Sequence, residues 1–239
     1  MPTICYSPVL GKTVRVSRLD SCCRVAPPGT DCGLVVTDGF IRVSLSTETT
    51  EGTEIAPTKA NGTNCYSVRT PDSFSRMTVE IEFCQVDPDL FEMMSNAEPF
   101  VDYNGDTTGF TVGEGTLEKK FALEMWSGLA SNEDACTTPG AEEGSGYFLL
   151  PCLQGGIIGD FELVGDGESN FTITGAFTNK AIGWGVGPYP VLLDADDEPA
   201  PLPAPGIPTS QHFLATTTGV APPPSACGCQ VMPGVPIPS

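Results

Sequence analysis

Alternating hydrophobic and polar residues recur along most of the chain, and this period of two is typical of β-strands with one buried and one wet face. In the clearest example, Val79, Ile81 and Phe83 alternate with polar residues between Thr78 and Val86. Similar alternation predicts strands over residues 13–19, 33–37, 40–45, 121–126, 147–153, 157–163 and 171–175. Such strands are expected to bury one face each in a common core.

Three dipeptides with a glycine after Asp or Asn lie between predicted strands, where they favour tight β-hairpins. They are Asp38-Gly39, Asn104-Gly105 and Asp166-Gly167. A two-residue type I′ turn needs positive φ at both central residues, and Asn104-Gly105 is expected to form this turn.

One short helix is expected after the strand that ends near Val86. Asp87 stands where an N-cap belongs, and Pro88 follows at the first helical position. Apolar residues from Leu90 to Met94 fill the helix, and Asn96 ends it. No segment sustains a helical period beyond about two to three turns, so the sequence predicts an all-β fold with this one helix.

Residues 46–76 show no clear period, although they join two well-patterned strands, Phe40–Leu45 and Thr78–Val86. A structureless loop of about thirty residues is unusual in a compact domain, and it is usually functional when present. The segment is therefore expected to be an arm that leaves a sheet edge and touches a neighbouring molecule.

Residues 188–239 hold 13 of the 23 prolines and no basic residue. Proline fixes φ and removes the N–H donor that a central strand needs, so this segment is expected to run extended over the outside of the core. His212–Thr218 is the one stretch expected to join a sheet, at an edge. The chain is thus divided into a β-sandwich domain, residues 1–187, and a proline-rich extended segment, residues 188–239.

The net charge of −19 is concentrated in one part of the chain. Residues 1–76 contain eight basic and seven acidic residues, whereas residues 77–239 contain three basic and 23 acidic residues. Such an acidic surface repels polyanions, which argues against ordinary nucleic-acid binding. The acids could also serve simply to keep a β protein soluble.

The amino-terminal stretch lacks the basic and long apolar regions of a signal peptide, and no apolar run approaches the roughly 20 residues of a membrane span. A soluble protein that starts in the cytoplasm is expected, and its ten cysteines are expected mostly as free thiols. Disulfide bonds or a metal site are the alternatives. Cys227 and Cys229 are too close to bridge each other without strain, so a bridge from either would reach another part of the subunit or a neighbour.

Motifs for catalysis and metal binding are missing from the sequence. It contains no Walker A loop, no G-x-S-x-G elbow and no C-x-x-C pair, and its one histidine, His212, lies in proline-rich sequence. The acidic cluster of residues 194–198 lacks the EF-hand pattern and is better explained as a solvated turn. No enzymatic activity, cofactor or metal is expected.

Five stretches between Lys59 and Gly228 carry a resemblance to a known family. They read ANGTNCYSVRTPDSFSRMTVEIEFCQVDPDLFEMMS, FALEMWSGL, GYFLLPCLQGGIIGDF, GWGVGPYPVLL and APPPSACG. In this order they resemble the major tail tube protein of long non-contractile-tailed phages that infect actinobacteria. The resemblance implies a tail-tube-like β-sandwich that closes into hexameric rings, which stack into a hollow tube through which the genome passes.

The same resemblance implies where the protein works and what it meets. It would be assembled in the host cytoplasm and reside in the virion tail. Its partners would be further copies of itself, the tape measure, distal tail and terminator proteins, and phage DNA in transit without specific binding. No membrane contact is implied.

Two sets of residues are expected to serve this assembly. The arm would reach the adjacent ring through apolar contacts and ion pairs, made by Ile55, Tyr66, Lys59, Arg69 and Arg76. Glu80, Glu82 and Arg42 lie on the wet face of two expected neighbouring strands and would line the lumen, where like charge lets DNA pass without sticking. An outer solvent face is the open alternative for these three residues.

A function of a different class also fits an acidic β protein. A carbohydrate- or receptor-binding β-sandwich of a phage tail tip or head decoration would need exposed aromatic side chains. Trp126 and Trp184 are the candidates for that role.

Overall fold

The computed structural model describes residues 7–129, 144–162 and 170–233. Within these residues almost all regular structure is β-strand, and the one helix, α1, spans Pro88–Met94. The strands are β1 Pro8–Leu19, β2 Leu34–Thr37, β3 Phe40–Thr50, β4 Glu54–Ile55, β5 Val68–Arg69, β6 Ser73–Phe83, β7 Ala97–Val101, β8 Thr107–Val112, β9 Lys120–Leu129, β10 Ser145–Gln154, β11 Ile157–Glu162, β12 Asn170–Thr178, β13 Leu192–Leu193, β14 Pro199–Ala200, β15 Leu214–Thr218 and β16 Ala226–Gln230. The predicted all-β class with one short helix is confirmed.

Ten of these strands form one antiparallel sheet in the order β16-β2-β1-β9-β10-β12-β6-β3, with β11 beside β12 and β15 beside β10. The sheet curls back on itself. Phe40 of β3 lies against Gly11 of β1, five places away in the strand order, and a Cβ added to Gly11 would come within 2.7 Å of the Phe40 ring. The two halves of the sheet therefore face each other across a shared core, as in a sandwich.

The first core lies between these halves and is built around α1. Asp87 caps the helix as predicted, because its carboxylate accepts the backbone N–H of Leu90 at 3.3 Å. Phe91 is fully buried and stacks on Phe110 of β8 with the ring centroids 5.0 Å apart. Ser95 ends the helix one residue before the predicted Asn96, with its N–H and hydroxyl bonded to the Phe91 carbonyl.

The second core lies on the opposite face of β1, β2, β9 and β10, and the proline-rich segment covers it. Buried side chains of the segment are Tyr189, Val191, Leu202, Ile207 and Met232. The segment thus completes a core instead of only lying outside one. It also adds two strands to the sheet where one was expected, because β15 pairs with β10 and β16 pairs with β2.

A buried ion pair joins β1 to β9 within this second core. Arg15 and Glu124 are register partners, and two hydrogen bonds of 2.6 and 2.7 Å connect the guanidinium to the carboxylate. The Tyr147 hydroxyl donates to the same carboxylate at 2.7 Å, and the Tyr189 ring lies 3.4 Å from the guanidinium carbon. Burial raises the pKa of Tyr189 to about 12, although the positive charge of Arg15 opposes the shift.

The predicted hairpin at Asp38-Gly39 is wrong. β2 pairs with β1 on one edge and with β16 on the other, so β3 finds no free edge there and pairs with β6 instead. The chain turns a corner at Gly39 and crosses to the other half of the sheet. The Gly39 carbonyl accepts the N–H groups of Cys84 and Gln85 from the end of β6.

The other two turn predictions have different outcomes. Asn104-Gly105 does lie in a hairpin, β7–β8, but Gly105 alone of the two has positive φ, so the turn is not type I′. Its loop is wider, because the Asp102 carboxylate accepts the N–H groups of Asn104 and Asp106 at 2.8 and 3.0 Å. Strands β11 and β12 pair as predicted, although Asp166-Gly167 between them lies outside the described residues.

The Arg15–Glu124 pair generates a stability prediction. Glu124→Gln keeps the side-chain volume but leaves the buried guanidinium without its counter-charge, which should lower the free energy of unfolding by about 3–5 kcal/mol. Chemical denaturation followed by tryptophan fluorescence measures the change. Glu80→Gln, at an exposed ion pair, is the control and should cost about 0–1 kcal/mol. Equal losses in the two variants would contradict the prediction.

Candidate assembly interface

The arm is a paired ribbon and not the structureless loop that was expected. β3 and β6 are longer than predicted and pair from Phe40↔Phe83 to Thr50↔Ser73, with register shifts after Phe40 and after Glu48. The missing period along residues 46–76 has a simple cause, because both faces of this ribbon are exposed and neither needs apolar residues.

Backbone pairing continues beyond the ribbon to the tip of the arm. Gly52 packs so closely against Thr70 that no side chain fits there, and the Thr70 N–H donates to the Thr53 carbonyl at 3.1 Å. The short strands β4 and β5 follow, and the Gly62 N–H closes the final turn by donating to the Lys59 carbonyl. The tip is therefore held in one shape by its own hydrogen bonds.

Apolar side chains stand exposed along this arm. Ile55 and Val68 are direct partners in β4 and β5, so both point to the same side, and they are 49% and 55% exposed. Tyr66 is 57% exposed and precedes Val68 by two residues. Ile55 and Tyr66 were predicted as contact residues, whereas Val68 was missed. The tip thus offers an apolar surface that the subunit itself does not cover.

The three cationic side chains predicted on the arm differ in whether they already form an ion pair. Arg69 pairs with Asp72 at 3.1 Å, and Arg76 pairs with Glu48 at 2.7 Å. Lys59 is exposed and forms no ion pair with any residue that the structure describes. The two arginines thus already have partners within the arm, and their contact with carboxylates of a neighbour stays a prediction, as it does for Lys59.

The residues predicted to line the lumen form one cluster on the outer face of β3 and β6. Arg42 lies 2.9 Å from Glu80 and 3.5 Å from Glu82, so it neutralises part of their charge. The Asn170 amide of β12 donates to Glu82 at 3.0 Å. Val43 and Ile81 point the other way, into the first core, so the predicted alternation of β6 is confirmed.

Both tryptophans predicted as exposed binding residues are buried. Trp126 is 3% exposed and packs on Tyr147, and Trp184 is 5% exposed. Trp126 lies on the face of β9 opposite Phe121 and Leu123, and the proline-rich segment covers that face. Exposed aromatic residues occur elsewhere, at Phe100 and Tyr103 of the β7–β8 hairpin, and nothing in their pattern distinguished them from core residues.

The expectation of mostly free thiols is corrected for four cysteines. Disulfide bonds join Cys23 to Cys152 and Cys32 to Cys229, with Cα atoms 5.7 and 4.7 Å apart. Cys229 thus bridges to another part of the subunit, which was one of the two predicted possibilities, and Cys227 stays free and exposed. The other free thiols of the described residues are Cys22, Cys65 and Cys84, and the remaining two cysteines lie outside those residues.

The single histidine and the acidic turn both make ordinary structural hydrogen bonds. The Nδ1 atom of His212 lies 2.9 Å from the Thr178 hydroxyl, and burial lowers the pKa of this histidine. The Asp194 carboxylate accepts the N–H groups of Asp196 and Glu198, as in a solvated acidic turn. Among the described residues, no helix has the length and apolar character that a membrane crossing needs.

Comparison with known proteins gives no family for this chain. No protein-family model matches the sequence, and no curated protein is significantly similar to it.

The base of the arm generates a titration prediction. A hydrogen bond from the Thr78 hydroxyl, followed by one from Arg76, lowers the pKa of Glu48. Thr78→Val removes the first donor, so the pKa of Glu48 should rise towards its ordinary value, as NMR titration of the glutamate carboxyl carbons would show. Thr49→Val serves as the control and should leave it unchanged. An unchanged Glu48 pKa in Thr78→Val would contradict the assignment.

The pH dependence of the arm base follows from the lowered pKa of Glu48. A lowered pKa means that the ionised carboxylate prefers the folded arm, so the benefit is present above the ordinary pKa of glutamate. It is lost as the pH falls through the lowered pKa of the folded state. The Glu48 side chain is exposed at the base of the arm, so we expect the change to affect the local order of the arm base more than the global stability.

Proposed function

We propose that the chain is a structural virion protein, the major tail tube subunit of a long non-contractile phage tail. Hexameric rings of the subunit would stack into a hollow tube that conducts the genome into the host. The arm is the observation that carries this proposal, because it is a preformed ribbon whose tip exposes apolar side chains away from both cores. Contiguous exposed apolar surface on a soluble protein marks an interaction site.

Apolar contacts should supply most of the affinity between stacked rings. Fully burying one such side chain stabilises an interface by about 1.5–3 kcal/mol, so the half-exposed Ile55, Tyr66 and Val68 would each add roughly half of that. Exposed ion pairs contribute about 0–1 kcal/mol, and the arm arginines already have partners. A ring repeats the contact six times under this proposal, so modest contacts add up through multivalency.

The distribution of charge supports passage of DNA without binding. Residues 77–239 hold 23 acidic and three basic residues, and a surface of like charge offers DNA no gain from counterion release. The Glu80–Glu82–Arg42 cluster is proposed to face the lumen. The receptor-binding alternative, in contrast, loses both of the tryptophans on which it relied.

The arm proposal is tested by removing the tip without disturbing the sheet. Thr50 and Ser73 are register partners, so residues 51–72 can be replaced by Asn-Gly, which closes β3 and β6 into a hairpin. We expect a folded subunit that forms no tubes in electron microscopy, whereas wild-type protein forms rings and tubes. Tubes of wild-type length from the shortened protein would refute the role of the arm, and discrete wild-type monomers or trimers would favour the alternative.

A pair of point variants separates apolar contact from mere shape. Ile55→Ser with Val68→Ser should shorten or abolish tubes, because both side chains lose their apolar groups on the same face. Ile55→Val with Val68→Ile keeps the apolar character and serves as the matched control, with tubes of normal length. Equal assembly by the two double variants would contradict the proposed energetics.

The position of the acidic cluster is tested by a density map of the assembled tube. Glu80 and Glu82 should lie on the inner wall. Their location on the outer wall would overturn the lumen assignment while leaving the arm prediction intact.

A further inference from the structure

Three elements that are distant in sequence each bring a possible metal ligand to one point. They are the loop before β2 with Cys32, the first turn of α1 with Asp89, and strand β16 with Cys229. The two sulfur atoms and a carboxylate oxygen of Asp89 all lie within 4.8 Å of one another. Within residues 7–129, 144–162 and 170–233, no other three histidine, cysteine or acidic ligands meet so closely.

Hydrogen bonds hold these elements together independently of the sulfur atoms. The Asp89 carboxylate accepts the Cys229 N–H at 3.0 Å, and the Asp87 carboxylate accepts the Gly228 N–H at 2.8 Å. Strand β16 is also paired with β2. The two cysteines would therefore remain neighbours when the disulfide bond between them is reduced.

The donor set suits zinc. Two thiolates and a carboxylate are ligands that Zn²⁺ prefers, and a site with three protein ligands keeps water in the fourth position. Tetrahedral Zn²⁺ with Zn–S bonds of about 2.3 Å separates two sulfurs by about 3.8 Å, which the Cys32 and Cys229 sulfurs can reach only after their disulfide bond is reduced. All three residues are half-buried, so the site is open to water.

A neighbouring arginine places positive charge beside one of the two sulfurs. Nη2 of Arg18 lies 3.9 Å from the Cys32 sulfur, and the same nitrogen pairs with the Glu92 carboxylate. Nε of the same arginine is buried without a hydrogen-bond partner among the described residues. An anionic sulfur beside it would give this group a favourable electrostatic contact that a neutral thiol does not.

We propose that the reduced protein binds one Zn²⁺ ion through Cys32, Cys229 and Asp89, with water as the fourth ligand. Binding releases the thiol protons, because both sulfurs coordinate as thiolates. The disulfide bond and the metal use the same two sulfur atoms and exclude each other, so occupancy depends on the redox state. The inference does not rest on the proposed function.

Cobalt titration of the full-length protein tests the site, with Co²⁺ as the spectroscopic substitute for Zn²⁺. Protein kept under a thiol reductant should bind one Co²⁺ per chain, show thiolate-to-cobalt charge-transfer absorption, and lose this band when Zn²⁺ is added. Oxidised protein should show no band. Asp89→Asn, which can still accept the Cys229 N–H, should weaken Co²⁺ binding at least about tenfold.

A matched pair of variants assigns the ligands. Cys32→Ser with Cys229→Ser should abolish the band, whereas Cys22→Ser with Cys227→Ser removes the same number of thiols and should retain it. If the first pair fails to fold, as judged by circular dichroism, Asp89→Asn decides the result. The proposal is overturned by reduced wild-type protein without the band, by a band that survives in the first pair, by its loss in the second, or by an unchanged affinity in Asp89→Asn.

Discussion

The middle of the sheet has two apolar faces, and each of them must be covered. Along β9, Phe121 and Leu123 point into the first core while Ala122 and Trp126 point into the second. A strand of this kind is stable only between two layers. Helix α1 and the far half of the sheet supply one layer, and the proline-rich segment supplies the other.

The second layer explains how a chain poor in helix accommodates so much proline. Prolines cannot donate to a central strand, but a covering layer needs apolar side chains and not a continuous ladder of hydrogen bonds. Tyr189 shows how the layer is anchored, because its ring lies on the Arg15 guanidinium and its hydroxyl contacts Ser17 at 2.7 Å. The charge of Glu124 is acceptable in this core only because Arg15 neutralises it.

Local signals in the sequence were reliable where one face of an element meets solvent. The alternation of β6 and the cap at Asp87 predicted their structures, since both depend on neighbouring residues alone. Asp38-Gly39 failed as a hairpin signal because strand pairing also requires a free edge, and β16, nearly 190 residues later, occupies the edge of β2. The prediction of an exposed Trp126 was wrong because a period of two distinguishes the two faces of a strand but does not reveal what covers each face.

The candidate interface was predictable in composition but not in shape. Ile55 and Tyr66 were recognisable as apolar residues in a polar stretch, yet only the register of β3 and β6 reveals a stiff ribbon with a paired tip. The Glu48 partner of Arg76 follows from that register as well, whereas Arg69 pairs with Asp72 three residues along the chain. The cysteine pairs lie 129 and 197 residues apart, and no spacing rule reaches across such distances.

These long separations have a consequence for damage to the backbone. The bond from Cys23 to Cys152 and the bond from Cys32 to Cys229 enclose overlapping spans of the chain. In the oxidised subunit, a single peptide cleavage anywhere between residues 23 and 229 leaves both fragments covalently attached to each other. A particle assembled from many such subunits would tolerate scattered cuts without shedding pieces, and the cuts would become visible only after a reductant separated the fragments.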